Sequence, residues 1–286
     1  MYRLIDIRTA SILNAVVGLI FCAYLAYVFR TRKTYAGFRQ WTIASLCVFL
    51  SMVLISLRDM IPAWATIVVS NILVVASLVL IAQGTALFTG RRYRREWLVF
   101  PLLATAVLSV VFTYYYPDVR ARIVIVSVLP LPAMIQVIIF VRRPAASFPG
   151  LSSTWLVYSL GGLAFWLLVR VVLTVMFEGD LHDFLSASIV QGGFLVFYSA
   201  GNTAIFLGLL ILHSQRIEAD LQQALDEVRT LRGVIPICAC CKKIRDDRGA
   251  WNQLEAYISH HSEAEFTHGF CPECTSRLMT GIKPVG

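Results

Sequence analysis

The chain is poor in charge and poorest in lysine. Only 15% of its 286 residues are charged, against about 25% in an ordinary soluble domain, while 58% are hydrophobic and the mean hydropathy is +0.71. Disorder needs the opposite balance, so a disordered chain is excluded. The lysines are Lys33, Lys242, Lys243 and Lys283, none inside a long apolar run, so an opsin-type retinal Schiff base has no residue to form on. Seven cysteines are too few for a disulfide scaffold of this length. Lys242 follows Cys241 and Thr275 follows Cys274, so neither Cys-x-x-Cys pair has the histidine of a covalent c-type haem site. The polar part holds no paired catalytic carboxylates, nucleophile–base pair or phosphate-cradling glycine loop, and an enzyme is not expected.

What is abundant is long apolar sequence. A bilayer-spanning helix needs about 20 mostly apolar residues. Seven segments qualify, at 10–29, 38–57, 61–89, 97–116, 120–141, 151–177 and 185–212. Arg30, Arg32 and Lys33 follow the first, which has no small-residue cleavage site, so it reads as a retained span and not a cleaved signal. The expected class is an all-α membrane protein: seven helices over 1–212, a helical linker over 213–232 and a small C-terminal module over 233–286. Residues 1–213 carry 16 basic and 7 acidic residues, residues 214–286 carry 9 and 10. The net charge of +8 therefore sits in the membrane part. Arg30, Arg32, Lys33 and Arg39, then Arg91, Arg92, Arg94 and Arg95, then Arg142 and Arg143 fill the first, third and fifth connections. The positive-inside rule makes those connections cytoplasmic, with the N-terminus out and the C-terminus in. The high isoelectric point is topological, and nucleic acid is not an expected partner.

Polar groups inside lipid are costly and mark function or packing. Asn14, Arg58, Asn71, Arg170 and Gln191 fall in the outer halves of their segments. Arg170 lies about 10 Å inside the outer end of the sixth, at about 1.5 Å per residue, and cannot shed its charge. One reading is an outward-facing pocket where Arg170 and Arg58 receive an acidic or polar ligand, with Asn71, Gln191 and Asn14 as polar neighbours. The other is an internal network that fixes helix packing, with Arg58 beside Asp59 facing headgroup water. Tyr114, Tyr115 and Tyr116 read as an interfacial belt, and Pro130 and Pro132 predict a kink in the fifth segment.

The runs Tyr35-Ala-Gly37-Phe38-Arg-Gln-Trp41, Leu57-Arg58-Asp-Met-Ile-Pro62, Ser70-Asn71-Ile-Leu and Gln83-Gly84-Thr-Ala-Leu-Phe88-Thr-Gly90-Arg91 resemble the N-terminal multi-helix sensory region of bacterial membrane-bound diguanylate cyclases and sensor kinases. The resemblance covers 35–91 and fades beyond. It implies a sensor input module of the bacterial inner membrane; no cyclase or kinase domain follows.

Leu210, Ser214, Ile217, Leu221, Ala224, Val228 and Leu231 alternate at spacings of four and three, a heptad seam that predicts a parallel homodimer contact on a helix running on from the seventh span. Gly233 and Pro236 end it. Ala200, Ala204 and Gly208 form a small-residue stripe for close helix approach.

Five cysteines crowd the tail. Cys238-x2-Cys241 and Cys271-x2-Cys274, 29 residues apart, have the spacing that points thiolate pairs at one tetrahedral ion, and predict a structural Zn2+ held by Cys238, Cys241, Cys271 and Cys274. Cys240 is a rival too close to Cys241, and His268 a substitute or orienting donor. Trp251, Leu254, Tyr257 and Ile258 are read as one amphipathic helix packed on the metal site. The runs from Leu231 through Asp247 and Gly249-Ala-Trp251, with Phe266-Thr-His268-Gly269-Phe-Cys271-Pro272-Glu273-Cys274, resemble the short cysteine-rich module that follows receiver and PAS domains in bacterial signalling proteins. It implies an output or adaptor function. The expected whole is a signal-transducing receptor with a cytoplasmic signalling partner. A small transporter, and a redox or zinc sensor with the cysteine module as input, remain open beside it.

Overall fold

A computed structural model describes residues 7–142, 151–177, 189–233, 236–246, 249–261 and 265–281. Arg143 and the acidic connection with Glu178, Asp180 and Asp183 lie outside the described residues, as do the side chains of Val228 and Leu231. The chain divides into two compact units, Met1–Ile217 and Glu218–Gly286.

The first unit is a helical bundle. Its helices are α1 (Ile7–Thr31), α2 (Phe38–Ser56), α3 (Ser70–Phe88), α4 (Arg95–Val110), α5 (Val119–Val128), α6 (Leu131–Arg142), α7 (Leu151–Phe177) and α8 (Ile189–Gly233). A π-helical turn, Trp64–Val69, leads into α3, and another, Val111–Tyr115, ends α4. Among the described residues, seven helical stretches are long and apolar enough to cross a membrane. The expected kink is there: α5 and α6 meet at Leu129 and Pro130, in line with the missing N–H of proline. The third span begins at Trp64, not 61, because Arg58 and Ile61 form a bridge and Asp59 turns at φ 70 before the helix starts.

Large aromatic side chains fill the core at one end of the bundle. Phe38, Trp41 and Phe88 are buried there. Gly37 sits at φ 97, and a Cβ on it would overlap the carbonyl oxygen of Gly84; a Cβ on Gly84 would stand 2.6 Å from the Trp41 indole. The two glycines thus let the α1–α2 turn lie against α3. Elsewhere Leu13, Ile20, Phe100, Leu103, Phe165 and Met176 face outward, as lipid contacts would. Buried hydroxyls bond back into their own helices, as Ser11 does to the Ile7 carbonyl and Ser127 to the Ile123 carbonyl, each at 2.8 Å. The small stripe packs on α7: Gly208 lies against Leu156, and the Trp155 Nε1–H donates to the Ala204 carbonyl at 3.1 Å.

In the second unit β1 (Ile244–Arg245) pairs antiparallel with β2 (Trp251–Asn252), followed by α9 (Leu254–His261) and α10 (Pro272–Gly281). Trp251 is therefore a strand residue opposite Arg245, which corrects the helix expected to begin there. Asp246 decides it: its carboxylate accepts from Ala250 N and Asn252 Nδ2, both at 2.8 Å, and closes the hairpin turn before the helical pattern begins.

Candidate functional site

Arg170 is buried on α7, with 5% of its surface exposed. Its Nε and Nη2 both donate to Gln191 Oε1, at 3.0 and 2.7 Å, and Gln191 Nε2 donates to Thr174 Oγ1 at 3.2 Å. The guanidinium carbon lies 3.6 Å from the centre of the Phe194 ring, a cation–π contact inside the bundle. Gln191 and Phe194 are three residues apart on the first turns of α8, so that helix grips Arg170 from one face.

Beside them lies a cavity of about 60 Å³. Arg58, Arg122 and Arg170 line it, with Ser70, Asn71 and Tyr198. Among the described residues no carboxylate does. Most of the remaining wall is aliphatic, from Met52, Val74, Leu78, Val126 and Leu167. An open recess of about 240 Å³ adjoins it; Arg58, Arg122 and Ile67 line both spaces, and Asp59 and Thr66 line the recess. Arg58 is half-buried, and its carbonyl accepts from Arg8 Nη2 at 3.0 Å. Asn71 Nδ2 donates to Ser109 Oγ at 3.3 Å, which ties α3 to α4 at the wall.

Of the five sequence candidates, Arg58, Asn71 and Arg170 meet at this cavity, and Gln191 supports it by holding Arg170. Asn14 does not. It lines a second, smaller cavity with Asn202 and donates to the Leu195 carbonyl at 3.0 Å, fastening α1 to α8. Sequence reasoning missed Arg122. It lies at the start of the expected fifth segment, and α5 begins at Val119 behind an Asp118 cap whose carboxylate accepts from Arg120 N at 2.8 Å and Ala121 N at 3.3 Å. That start places Arg122 on the same helix face as Val126, at i and i+4, and Pro130 just past the helix lines the same cavity. The spacing was the signal available. Three guanidiniums lining one low-dielectric space repel one another, and an anion among them would offset that cost.

The cysteine pairs are each closed. Cys238 to Lys243 forms a tight turn, with Lys242 N donating to the Cys238 carbonyl at 3.0 Å, Cys238 N to the Lys243 carbonyl at 2.8 Å, and Lys242 in the left-handed region at φ 60. Backbone N–H groups of Cys241 and Cys240, then the Cys241 thiol, hold the Cys238 thiol below its ordinary pKa. On α10 the backbone N–H of Cys274, then its thiol, does the same for Cys271. Donor chemistry and turn geometry in each pair suit a soft metal ion. Among the described residues, however, no three His, Cys, Asp or Glu side chains stand together as one metal-holding group, His268 and Cys240 included. No family profile, curated protein or solved structure matches the chain.

Proposed function

We propose that this chain is a signal-transducing receptor of the bacterial inner membrane. The arginine-lined cavity receives a small polar or acidic ligand from the outer side. Helix α8 carries the change inward to a zinc-stabilised module that contacts a cytoplasmic partner. The observation that carries this reading is that both grips on Arg170, Gln191 and Phe194, ride on one helix running unbroken for 45 residues to Gly233. A displacement of the Arg170 guanidinium must move or release that helix.

Further support comes from the exposed seam beyond the bundle. Ile217 and Leu221 are 41% and 59% exposed, as a parallel dimer contact requires before it is made. The basic connections orient the cavity outward and the module inward. Cys238, Cys241, Cys271 and Cys274 are the proposed zinc ligands, on the spacing of the two pairs.

The test is photo-crosslinking in membrane vesicles with a photoreactive residue at position 221. The parent chain crosslinks to itself, and Arg170→Gln changes the yield by about fivefold or more while remaining folded and inserted. A monomer that never crosslinks, or a yield blind to Arg170→Gln, contradicts the reading.

A further inference from the structure

The cavity is graded along its length. At the end where α2 finishes and α3 and α5 begin stand Arg58, Arg122 and, slightly deeper, Arg170. Farther along the same helices the wall changes to Val74 and Leu78 on α3, Val126 on α5 and Leu167 on α7. From Ile67 to Leu78 this is a depth of about 16 Å at 1.5 Å per residue. Among the described residues, the open recess and the cavity share Arg58, Arg122 and Ile67, all at the charged end. A fully hydrated polyanion would be stripped of water at the mouth and gain nothing from the aliphatic floor. A molecule with an anionic head and a short apolar body satisfies both halves.

Resting on the reading of this cavity as a ligand site, we propose that it takes an amphiphilic monocarboxylate, carboxylate at Arg58 and Arg122 and alkyl body against Leu78 and Val126. Entry is tail-first from the recess, because the arginines guard that end. Planar guanidinium groups match a carboxylate in two parallel hydrogen bonds, which an alcohol cannot form. Burial of the body makes affinity rise with chain length, by about fourfold for each methylene that fits.

The experiment is a binding titration of the full-length protein in phosphatidylcholine nanodiscs with acetate, butanoate, hexanoate, malonate and hexanol. Hexanoate binds at least about tenfold more tightly than acetate, and hexanol, which enters the bilayer as well, does not compete with it. Arg122→Gln weakens hexanoate by about tenfold or more, and Leu78→Phe, which fills the floor, removes the chain-length dependence. Equal binding of acetate, malonate and hexanoate through the same arginines overturns the amphiphile and leaves the receptor reading standing. Absence of binding by every anion overturns both. A repeat in phosphatidylglycerol nanodiscs separates the source of the anion: unchanged hexanoate affinity supports a free acid, and loss by competition assigns the site to a lipid headgroup and overturns the proposal.

Discussion

The guanidinium carbon of Arg216 stands 4.2 Å from the centre of the Tyr35 ring, and its Nη1 donates to the Phe88 carbonyl at 2.6 Å. One turn earlier on α8, the imidazole of His213 lies between Tyr35 and Phe38, with ring centres 5.6 and 4.6 Å away. Helix α8 is thus fastened at two places at least 19 residues apart, about 28 Å or more along its axis: at Arg170 by Gln191 and Phe194, and at the α1–α2 turn and the end of α3 by His213 and Arg216. A helix held at two places along its length is an element on which each site can bias the other.

Removing the second fastening should loosen α8 without touching the cavity. Arg216→Ala deletes a charge-assisted hydrogen bond and a cation–π contact, and should cost about 1–3 kcal/mol. Melting of the full chain in neutral detergent measures it. Arg216→Lys, which retains the charge but not the planar fork, should fall between the two.

Gln191→Leu leaves the Arg170 guanidinium without its amide acceptor inside the bundle. The expected loss is about 2–3 kcal/mol, near the upper range for a bond to a charged group. Gln191→Glu supplies a carboxylate in its place. It should spare stability and weaken anion binding at Arg58 and Arg122, since it adds a negative charge beside the cavity.

Glycines separate close packing from mere helix weakness. Gly84→Ala drives a methyl to 2.6 Å from the Trp41 ring and should destabilise by about 1–3 kcal/mol. Gly161→Ala on α7 meets nothing within 4 Å and should stabilise by about 0.5–1 kcal/mol, the helix-propensity gain. Unfolding of both variants under one set of conditions makes the comparison.

Zinc analysis tests the tail. The full chain purified without chelator should hold about one zinc per chain. Cys238→Ser and Cys274→Ser should each lose it and expose residues 236–281 to protease. A metal content unaffected by either substitution removes the four-cysteine site.

The spans were legible because each is an apolar run of bilayer length, and the Pro130 break because proline has one physical effect inside a helix. Arg170 stood out as a charge that cannot be neutralised in apolar sequence. Arg122 did not, because a basic group in the first turn of a span reads like a charge at the membrane edge until the Asp118 cap is recognised. Trp251 was misplaced because eight residues of spacing cannot separate a strand from a helix when Asp246 closes a hairpin just before. The Arg216–Tyr35–Phe88 fastening joins three separated stretches of sequence, and no local pattern foretells such a meeting.

The central claim is that the two fastenings of α8 act on one element. A double-mutant cycle of Gln191→Leu and Arg216→Ala, read as unfolding free energy of the full chain, tests it most directly. The sites lie too far apart to touch, so independent effects would add to within about 0.5 kcal/mol. The account predicts that, once α8 is released at one fastening, the second substitution costs at least about 1 kcal/mol less than it does alone. Strict additivity would contradict it.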